Sequence, residues 1–399
     1  MALPFRLHAL GGWLNLPAVR RALKAALIVF ISSRLVILIA LVVAEVVIPE
    51  GFDPKDPDLF VHTDAPWPVD ALIRWDGAHY LSIARDGYSS GSHPTVNTAR
   101  FWPLYPFLVH VAGAWAGEQG LIYAGLLISS LAFLASLFLL YRLVERDLDA
   151  RIAERCLWYL AVFPGAFFFT AYYAESLLLL LSVLFFHALR DRRWLLASML
   201  GGMAAATRAP GVILGAPYLW ECFRVAGWSP ARGWRPFLLG AFIPAGLLLY
   251  VAAVWLQVGN PLAITSSYQL WGTVGQFEDT GRYYALDAFI SEGGSIRFGG
   301  AWIGAISSLT FIAATVWLAR HRFLDYALFA AMTLVFHLSL AVPAGTGSMV
   351  RYLVPIFPVF IAFAIWGSTW KWFHYSYLLY CLVLLFFAAM LYSRWYWVG

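Results

Sequence analysis

Three groups of ionisable residues could do chemistry in this sequence, and the densest lies in segment 71–88, ALIRWDGAHYLSIARDGY. On a helix, Asp76, His79 and Tyr80 follow the spacing i, i+3, i+4 and share one face. A carboxylate one turn from an imidazole suits general-base work, in which it accepts a proton from a hydroxyl. The alternative is an interfacial helix whose charges are solvated. Spacing alone leaves both interpretations open.

A second carboxylate, Glu175, lies in the motif AYYAES directly behind Tyr172 and Tyr173. The motif joins two short apolar segments, so Glu175 falls at the start of a helix. An acidic residue at that position either serves the helix macrodipole or contributes to the binding of an acceptor substrate. Spacing alone favours the macrodipole interpretation.

Three arginines lie in or beside apolar segments, where a charge needs a partner. Arg208 in ATRAPG and Arg351 in VRYLVPIFP stand where proline or glycine interrupts a helix, and such interruptions at membrane depth line cavities. Arginine stays charged and binds phosphate by bidentate hydrogen bonds, so we expect at least one of the two to bind a lipid phosphate. The alternative is structural pairing with Glu175 or Asp76. Arg34, inside the first apolar segment, suits a functional or a structural role equally.

The elements that must position these residues are membrane helices. The chain has 399 residues, of which 61% are hydrophobic and only 12% are charged, and its mean hydropathy is +0.72. Soluble proteins carry about 25% charged residues. Repeated apolar runs approach the ~20 residues that a bilayer requires. We therefore predict an all-α polytopic membrane protein, with one integral membrane domain over residues 1–399 and no separate soluble domain.

The apolar segments predict about 11 transmembrane helices of bilayer-spanning length. Two long polar loops interrupt the series, at 48–100 and at 259–299, and we predict an amphipathic helix around RWDGAHY in the first. Whether segment 101–117, which begins FWPLYP, crosses the membrane stays open. If it does not, every basic cluster falls on the cytoplasmic side, as the positive-inside rule requires. The motifs RWDGAHY, AYYAES and ATRAPG then share the extracytoplasmic side.

Composition also excludes several classes of function. The formal net charge of +5 comes from short basic clusters between apolar runs, so we expect no nucleic-acid partner. The sequence has no P-loop, no G-x-G-x-x-G and no H-E-x-x-H motif. Its three cysteines are scattered and indicate neither a disulfide framework nor a metal site. We expect no metal and no cofactor.

Five stretches carry a resemblance to a known family. RWDGAHYLSIARDGY followed by FWPLYP resembles the signature of the PIG-V-like mannosyltransferases, the GPI mannosyltransferase 2 family and its prokaryotic relatives in the GT-C superfamily. Four further stretches agree in order: FPGAFFFTAYYAESL, ATRAPG, GNPLAITSSYQLWG and VRYLVPIFP. The resemblance runs from Arg34 to Pro358. It implies a GT-C-like bundle and an inverting transfer of mannose from a polyprenyl-phosphate donor to an acceptor hydroxyl.

The resemblance also implies roles for residues. Asp76 matches the acidic residue that GT-C enzymes carry in their first extracytoplasmic loop, and would act as general base. We expect Arg208, Arg351 and Arg34 to bind the donor phosphate, which leaves as an anion and needs neither a general acid nor a metal. The residues expected to contact substrate, several of them as rings that stack on the sugar, are Arg74, Trp75, His79, Tyr80, Tyr105, Tyr172, Tyr173, Glu175 and Tyr352.

The expected partners are a polyprenyl-phosphate sugar donor, an acceptor hydroxyl on a glycolipid, glycan or protein, and membrane lipid. We expect the active site on the extracytoplasmic or lumenal side of the plasma membrane in a prokaryote, or of the endoplasmic reticulum in a eukaryote. Gly77, Ala78 and His79 depart mildly from relatives, which leaves the acceptor open. The alternative function is a transporter or flippase of lipid-linked saccharides. A transport pathway would distribute ionisable residues through the bilayer, whereas here they cluster on one predicted side.

Overall fold

The computed structural model describes residues 16–49, 63–90, 97–227, 234–267, 300–344, 348–396 and 398. Every regular element within these ranges is helical, so the predicted all-α architecture is confirmed. The α-helices are α1 (Leu16–Val47), α2 (Asp76–Asp86), α3 (Leu104–Gly113), α4 (Gly117–Asp147), α5 (Ala150–Val162), α6 (Glu175–Arg190), α7 (Trp194–Thr207), α8 (Gly215–Ala226), α9 (Trp234–Leu239), α10 (Phe242–Val258), α11 (Gly300–Arg320), α12 (Leu324–Ala344), α13 (Met349–Leu353), α14 (Phe357–Thr369) and α15 (Lys371–Ser393). Short 3₁₀ helices cover Asp70–Leu72, Ala114–Ala116, Pro164–Phe169 and Ala209–Leu214.

The chain is an integral membrane protein by the length and composition of its helices. Five helical stretches in the described ranges are long and apolar enough to cross a membrane: Leu16–Val47, Leu104–Asp147, Trp234–Val258, Ile303–Arg320 and Lys371–Ser393. Three shorter apolar helices accompany them: Trp194–Thr207, Leu324–Ser339 and Phe357–Thr369. The count of about 11 spans, which rests on segment length alone, stays a prediction.

Helix α1 shows why these sequences suit lipid rather than water. Its buried positions recur every three or four residues and are mostly small, among them Ala22, Ala26 and Ala40. Large residues between them face outward, with Ile31 60% exposed and Leu35 52% exposed. Small residues let helix backbones approach closely, while large apolar side chains contact lipid tails. The small-residue face of α1 packs on α4 and α15.

Segment 101–117 forms a short helical arm that packs back against α4. Helix α3 has ten residues, about 15 Å of rise, which is half the ~30 Å of a bilayer core. The chain then reverses into α4, where a Cβ added to Gly113 would lie 2.3 Å from the Gly120 carbonyl oxygen. Glu118, at the start of α4, pairs with Arg85 near the end of α2 at 3.2 Å. The arm therefore lies beside α2.

The helix predicted around RWDGAHY begins later than its sequence suggests. A 3₁₀ turn covers Asp70–Leu72, and the α-helix runs from Asp76 to Asp86, so Arg74 and Trp75 precede it. The helix is buried around most of its circumference, and Asp76 and His79 are among its buried residues, so the alternative of an interfacial helix with solvated charges is excluded. The reason is tertiary, because arginines from other segments supply the counter-charges that water would otherwise provide.

A second ion network ties helices together at the far end of α6. Arg190 Nη2 lies 3.0 Å from Asp147 at the end of α4, and its Nη1 pairs with Asp325 in the first turn of α12. Tyr326 donates a hydrogen bond to Asp147 at 2.8 Å. Helix α6 has 16 residues and is about 24 Å long. This network and Glu175 therefore lie at opposite ends of that helix.

Much of both predicted loops lies outside the described residues. In the first loop, 48–100, the structure describes residues 48–49, which follow α1, and residues 63–90 and 97–100. In the second, 259–299, it describes 259–267. The motif GNPLAITSSYQLWG therefore falls only partly within the described chain.

Candidate active site

Asp76 is the first residue of α2 and is 7% exposed. The preceding residue, Trp75, has φ +55° and ψ −124°, a strained conformation that non-glycine residues adopt rarely and that turns the chain into the helix. The Trp75 ring packs edge-on against Trp395 with centroids 5.9 Å apart. At the first turn of a helix, the macrodipole favours the charged form of the carboxylate.

Glu175 occupies the same place on α6 and is fully buried. The chain reaches it through the 3₁₀ helix Pro164–Phe169 and a turn in which Ser176 Oγ donates to the Phe169 carbonyl at 3.0 Å. The Tyr172 amide donates to the Leu72 carbonyl at 3.0 Å. This last hydrogen bond joins the AYYAES turn to the segment that precedes Asp76, and so brings the two carboxylate-bearing helix ends together.

Both arginines of the sequence motifs come from interrupted helices. Arg208 is extended, with φ −163° and ψ 155°, between α7 and the 3₁₀ helix Ala209–Leu214. Gly211 permits this interruption, since a Cβ there would lie 2.0 Å from the carbonyl carbon of Ala204. Arg351 lies on the short helix α13 and is 3% exposed.

These residues meet in one ion network, the Asp76 cluster, formed by Asp76, Glu175, Arg100, Arg208 and Arg351. Arg351 bridges the carboxylates: its Nη1 donates to Asp76 Oδ2 at 2.5 Å, and its Nε donates to Glu175 Oε1. Arg208 Nη1 donates to the same Glu175 oxygen. Arg100 Nη2 lies 3.6 Å from Asp76 Oδ1. The structural pairing considered for Arg208 and Arg351 is therefore present.

The Asp76 cluster carries an excess of positive charge. Three guanidinium groups against two carboxylates give +3 − 2 = +1. A site in which guanidinium groups outnumber carboxylates attracts an anion. Both carboxylates would still hold their arginines in place when the anion binds.

Opposing effects act on the pKa of Asp76. Burial alone would raise it, because an apolar surrounding disfavours the charged carboxylate. The charges of Arg351 and Arg100, together with the hydrogen bond from Arg351, outweigh burial and hold the pKa well below its usual range. Asp76 is therefore ionised at neutral pH. A negative group bound nearby would raise the pKa and make the carboxylate a stronger base.

Aromatic rings enclose the cluster on several sides. The Arg351 guanidinium lies over Tyr173, 4.5 Å from the ring centroid, and 5.2 Å from that of Phe168. Tyr80 packs edge-on against Tyr105 with centroids 5.3 Å apart. Such contacts stabilise a cation that has lost its water.

The tyrosines predicted to stack on a sugar lie within the packed core. The hydroxyls of Tyr105 and Tyr172 donate to carbonyls of α4, at Gly125 and Leu121, over 3.0 and 3.1 Å. The Tyr173 hydroxyl donates to the Arg74 carbonyl at 3.1 Å. The Tyr105 and Tyr172 hydroxyls hold their motifs against α4, and the Tyr173 hydroxyl joins AYYAES to the segment before Asp76. Sugar stacking by these rings stays a prediction.

Another candidate, Arg74, is placed beside the C-terminal part of the chain. Arg74 pairs with Asp70 at 2.7 Å, and its guanidinium lies over the Trp395 ring at 4.5 Å. The Tyr392 hydroxyl donates to the Arg74 carbonyl at 3.0 Å. The end of α15 thus fixes the backbone that leads into Asp76.

Arg34 stands apart from the cluster. It donates to Thr170 Oγ1 and, over 3.4 Å, to the Ala166 carbonyl, and it lies over the Phe133 ring at 4.6 Å. Its contacts among the described residues are with these groups rather than with the Asp76 cluster. They fit the structural alternative, and phosphate binding by Arg34 stays a prediction.

His79 lies one turn after Asp76 and stacks on Phe101 with centroids 4.8 Å apart. Burial lowers the pKa of His79, and the positive charge of Arg100 lowers it further. The negative charge of Asp76 raises it, but the pKa still falls to about 4. His79 is therefore neutral at physiological pH. It can donate or accept a hydrogen bond beside the carboxylate without adding charge.

We expect the lowered pKa of His79 to make the protein less stable in acid. Unfolded His79 takes up a proton near pH 6.5, whereas folded His79 resists it until about pH 4. The stabilisation is therefore present above pH 6.5 and is lost as the pH falls from 6.5 to 4. Thermal unfolding of purified protein across this range, compared with His79→Asn, measures the effect. An equally steep loss of stability in the variant would contradict it.

One oxygen of the cluster has no bond within the described chain. Glu175 Oε2 is buried and accepts no hydrogen bond from the described residues. An orphan buried acceptor is costly and marks a place where a hydroxyl donor can bind. Among the same residues, no group of three or more His, Cys, Asp and Glu could hold a metal ion. The carboxylates of the cluster are bonded to arginine instead.

Two residues beside the site were missed from the sequence. Arg100 directly precedes FWPLYP, and its adjacency to that motif was the available signal. His337 is an ionisable residue inside the apolar helix Leu324–Ala344, which is itself a reason to suspect function.

The comparison with curated proteins agrees with the motifs. The chain is similar to GPI mannosyltransferase 2 of Yarrowia lipolytica, with 25% identity over 182 residues, which is 45% of this chain and 48% of that protein. The chain thus spans about half the length of this relative. No family model matches the chain. The predicted resemblance to this family is confirmed as a sequence similarity over 182 residues.

Solved structures give likenesses of low identity. The chain is similar to the oligosaccharyltransferase of Archaeoglobus fulgidus in the apo form, with 13% identity and a TM-score of 0.47, over 94% of this chain and 56% of that chain. It is also similar to the oligosaccharyltransferase AglB of the same organism in complex with an inhibitory peptide and a dolichol-phosphate. That match has 12% identity and a TM-score of 0.41, over 92% of this chain and 55% of that chain.

Proposed function

We propose that the protein is a membrane-embedded inverting glycosyltransferase that moves a sugar, mannose by its similarity to GPI mannosyltransferase 2, from a polyprenyl-phosphate donor to an acceptor hydroxyl. The observation that carries the proposal is the buried Asp76 cluster, in which a carboxylate base and a surplus guanidinium charge lie together. A phosphodiester donor brings one negative charge, which matches the +1 of the cluster.

The charge stays balanced through the reaction. Before transfer, the donor phosphodiester at −1 and the cluster at +1 sum to zero. As the bond between C1 of the sugar and the phosphate oxygen breaks, its electron pair stays on the phosphate, which becomes a monoester at −2. The acceptor hydroxyl gives its proton to Asp76, so the cluster becomes +2. No net charge is created in a buried site, where such a change would be costly.

Each residue of the cluster has a distinct task in this proposal. Asp76 accepts the hydroxyl proton as the oxygen attacks C1. Arg208 and Arg351 neutralise the charge that develops on the phosphate, as fixed dipoles and charges do in other transfer reactions. Glu175 Oε2, the orphan acceptor, takes a hydrogen bond from a hydroxyl of the sugar or the acceptor. A β-linked donor then yields an α-glycoside.

The basic residues after α6 support placing the site on the extracytoplasmic or lumenal side. Glu175 opens α6, and the basic group Arg190, Arg192 and Arg193 follows at its other end. Basic groups remain on the cytoplasmic side, so we place the Asp76 cluster on the opposite side.

Between Glu175 and His187, α6 carries no ionisable residue. This pattern favours a transferase over a transporter, whose pathway would place such residues through the bilayer.

A transfer assay tests the proposal directly. Purified protein in lipid nanodiscs is incubated with polyprenyl-phosphate-mannose and a membrane lipid extract, and the lipids are read by mass spectrometry. We expect new species heavier by one hexose, formed at the same rate in EDTA because no metal takes part. Parallel reactions with polyprenyl-phosphate-glucose test which sugar is transferred, independently of whether a polyprenyl-phosphate donor is used. Intact donor in every reaction, with protein that is folded, would refute a polyprenyl-phosphate-dependent transferase.

A further inference from the structure

His337 lies beside the Asp76 cluster although no sequence motif includes it. It is 5% exposed on α12, and its imidazole stacks on Tyr352 with centroids 4.5 Å apart and ring planes at 7°. The same Tyr352 ring lies under the Arg208 guanidinium, whose carbon is 5.9 Å from the centroid. The charges of Arg208 and Arg351 both act on the His337 ring.

The His337 side chain lacks a hydrogen-bond partner in the described chain. Its contacts there are the ring contacts with Phe336 and Tyr352. An imidazole carries at least one N–H donor in either protonation state. The ring nitrogens of His337 are not among the fully buried side-chain atoms that lack a partner in the described chain, so a ligand can reach them. A donor that a ligand can reach, held by stacking beside two arginines, suits a ligand that supplies an acceptor.

The neighbouring charges restrict the chemistry of that ligand. Two guanidinium groups repel a cation and attract an anion with several acceptor oxygens, which describes a phosphate. The Tyr352 ring fixes the plane of the imidazole, so the direction of its N–H groups is set before the ligand arrives. Pre-organised donors of this kind cost little to use when charge develops on a leaving group.

We propose that His337 is a further ligand of the donor phosphate, donating a hydrogen bond to a phosphate oxygen while Arg208 and Arg351 neutralise its charge; this inference rests on the proposed function. His337 keeps its proton throughout. The electron pair of the broken C1–O bond stays on the phosphate and the acceptor proton goes to Asp76, so the reaction needs no other proton.

Binding of a polyprenyl monophosphate to nanodisc-embedded protein tests the inference without requiring transfer. His337→Phe keeps a flat ring on Tyr352 and removes both nitrogens, and it is expected to weaken binding about 10- to 100-fold. His337→Gln keeps an N–H donor and is expected to retain most of the affinity. Arg208→Gln serves as the positive control for a lost phosphate contact, and His374→Phe, on α15 beside Tyr159, as the control for loss of a histidine elsewhere.

The outcomes separate this inference from the proposed function. Affinity of His337→Phe equal to that of the unaltered protein, with Arg208→Gln weakened, overturns the role of His337 alone. Unchanged affinity in both variants overturns the phosphate site itself. Weakened binding in His337→Phe with no sugar transfer by the unaltered protein supports the inference while the transferase fails. Should the Phe variant not fold, His337→Leu against His337→Gln gives the same comparison.

Discussion

Asp76→Asn is expected to reduce sugar transfer about 10²- to 10⁴-fold, the range in which a positioned general base acts. Asparagine has nearly the same shape and keeps an oxygen that can accept from Arg351, but it cannot take the proton of the acceptor hydroxyl. The substitution also raises the cluster from +1 to +2. A polyprenyl monophosphate should therefore bind at least as tightly as before. Transfer rates and equilibrium binding on the same preparation measure the two effects.

The matched control for this variant is Asp86→Asn. Asp86 lies at the other end of α2, with a side chain 56% exposed and paired with Arg85 at 2.8 Å. It carries the same charge on the same helix without contact to the Asp76 cluster. We expect transfer by this variant to stay within about twofold of the unaltered protein, because surface ion pairs contribute little. Transfer by folded Asp76→Asn at the unaltered rate would remove Asp76 from the mechanism.

Arg351→Gln is expected to have the largest effect on stability as well as on transfer. Arg351 bridges Asp76 and Glu175, and a glutamine cannot neutralise either. Removing one partner from a buried ion network costs up to about 3–5 kcal/mol. Asp76 keeps only Arg100, at 3.6 Å, and Glu175 keeps only Arg208, so both carboxylates lose the guanidinium that joins them. The donor phosphate loses a guanidinium at the same time. We expect a lower melting temperature and a rise in the KM for the donor, measured on the fraction that remains folded.

Two comparisons separate these consequences. Arg351→Lys restores the charge but offers one nitrogen in place of a planar fork, so we expect it to recover stability more than transfer. Arg190→Gln breaks the network with Asp147 and Asp325 at the opposite end of α6. It should lower the melting temperature without changing the KM for the donor. A KM equally raised in Arg190→Gln would show that loss of Arg351 acts only through stability.

The contact of Arg351 with Asp76 also explains how a carboxylate with a lowered pKa can act as the general base. In the structure, Arg351 and Arg100 hold the pKa of Asp76 well below its usual range, against the opposing effect of burial. A donor phosphate attracts the same guanidinium groups and adds negative charge nearby. Both effects raise the pKa of Asp76. The carboxylate thus gains basicity when the donor is in place, before the acceptor hydroxyl attacks.

The amino-acid sequence was sufficient to find most members of the site. Asp76, Glu175, Arg208 and Arg351 each stood out, because a charged side chain beside an apolar segment is costly wherever its partner lies. That cost depends on the residue and its immediate neighbours, which the sequence displays. The helical membrane class follows for the same reason, since the length of an apolar run and its charge content are local quantities.

The tertiary structure alone decided how the charges are shared. Arg351 joins both carboxylates, Arg100 supplies the third positive charge, and His337 is placed on Tyr352 by the packing of α12 and α13. The late start of α2 at Asp76 likewise depends on contacts with distant segments. Coulomb energies depend on distances between side chains that are far apart in the chain, so the sequence determined which residues need partners, and the fold determined which partners they have.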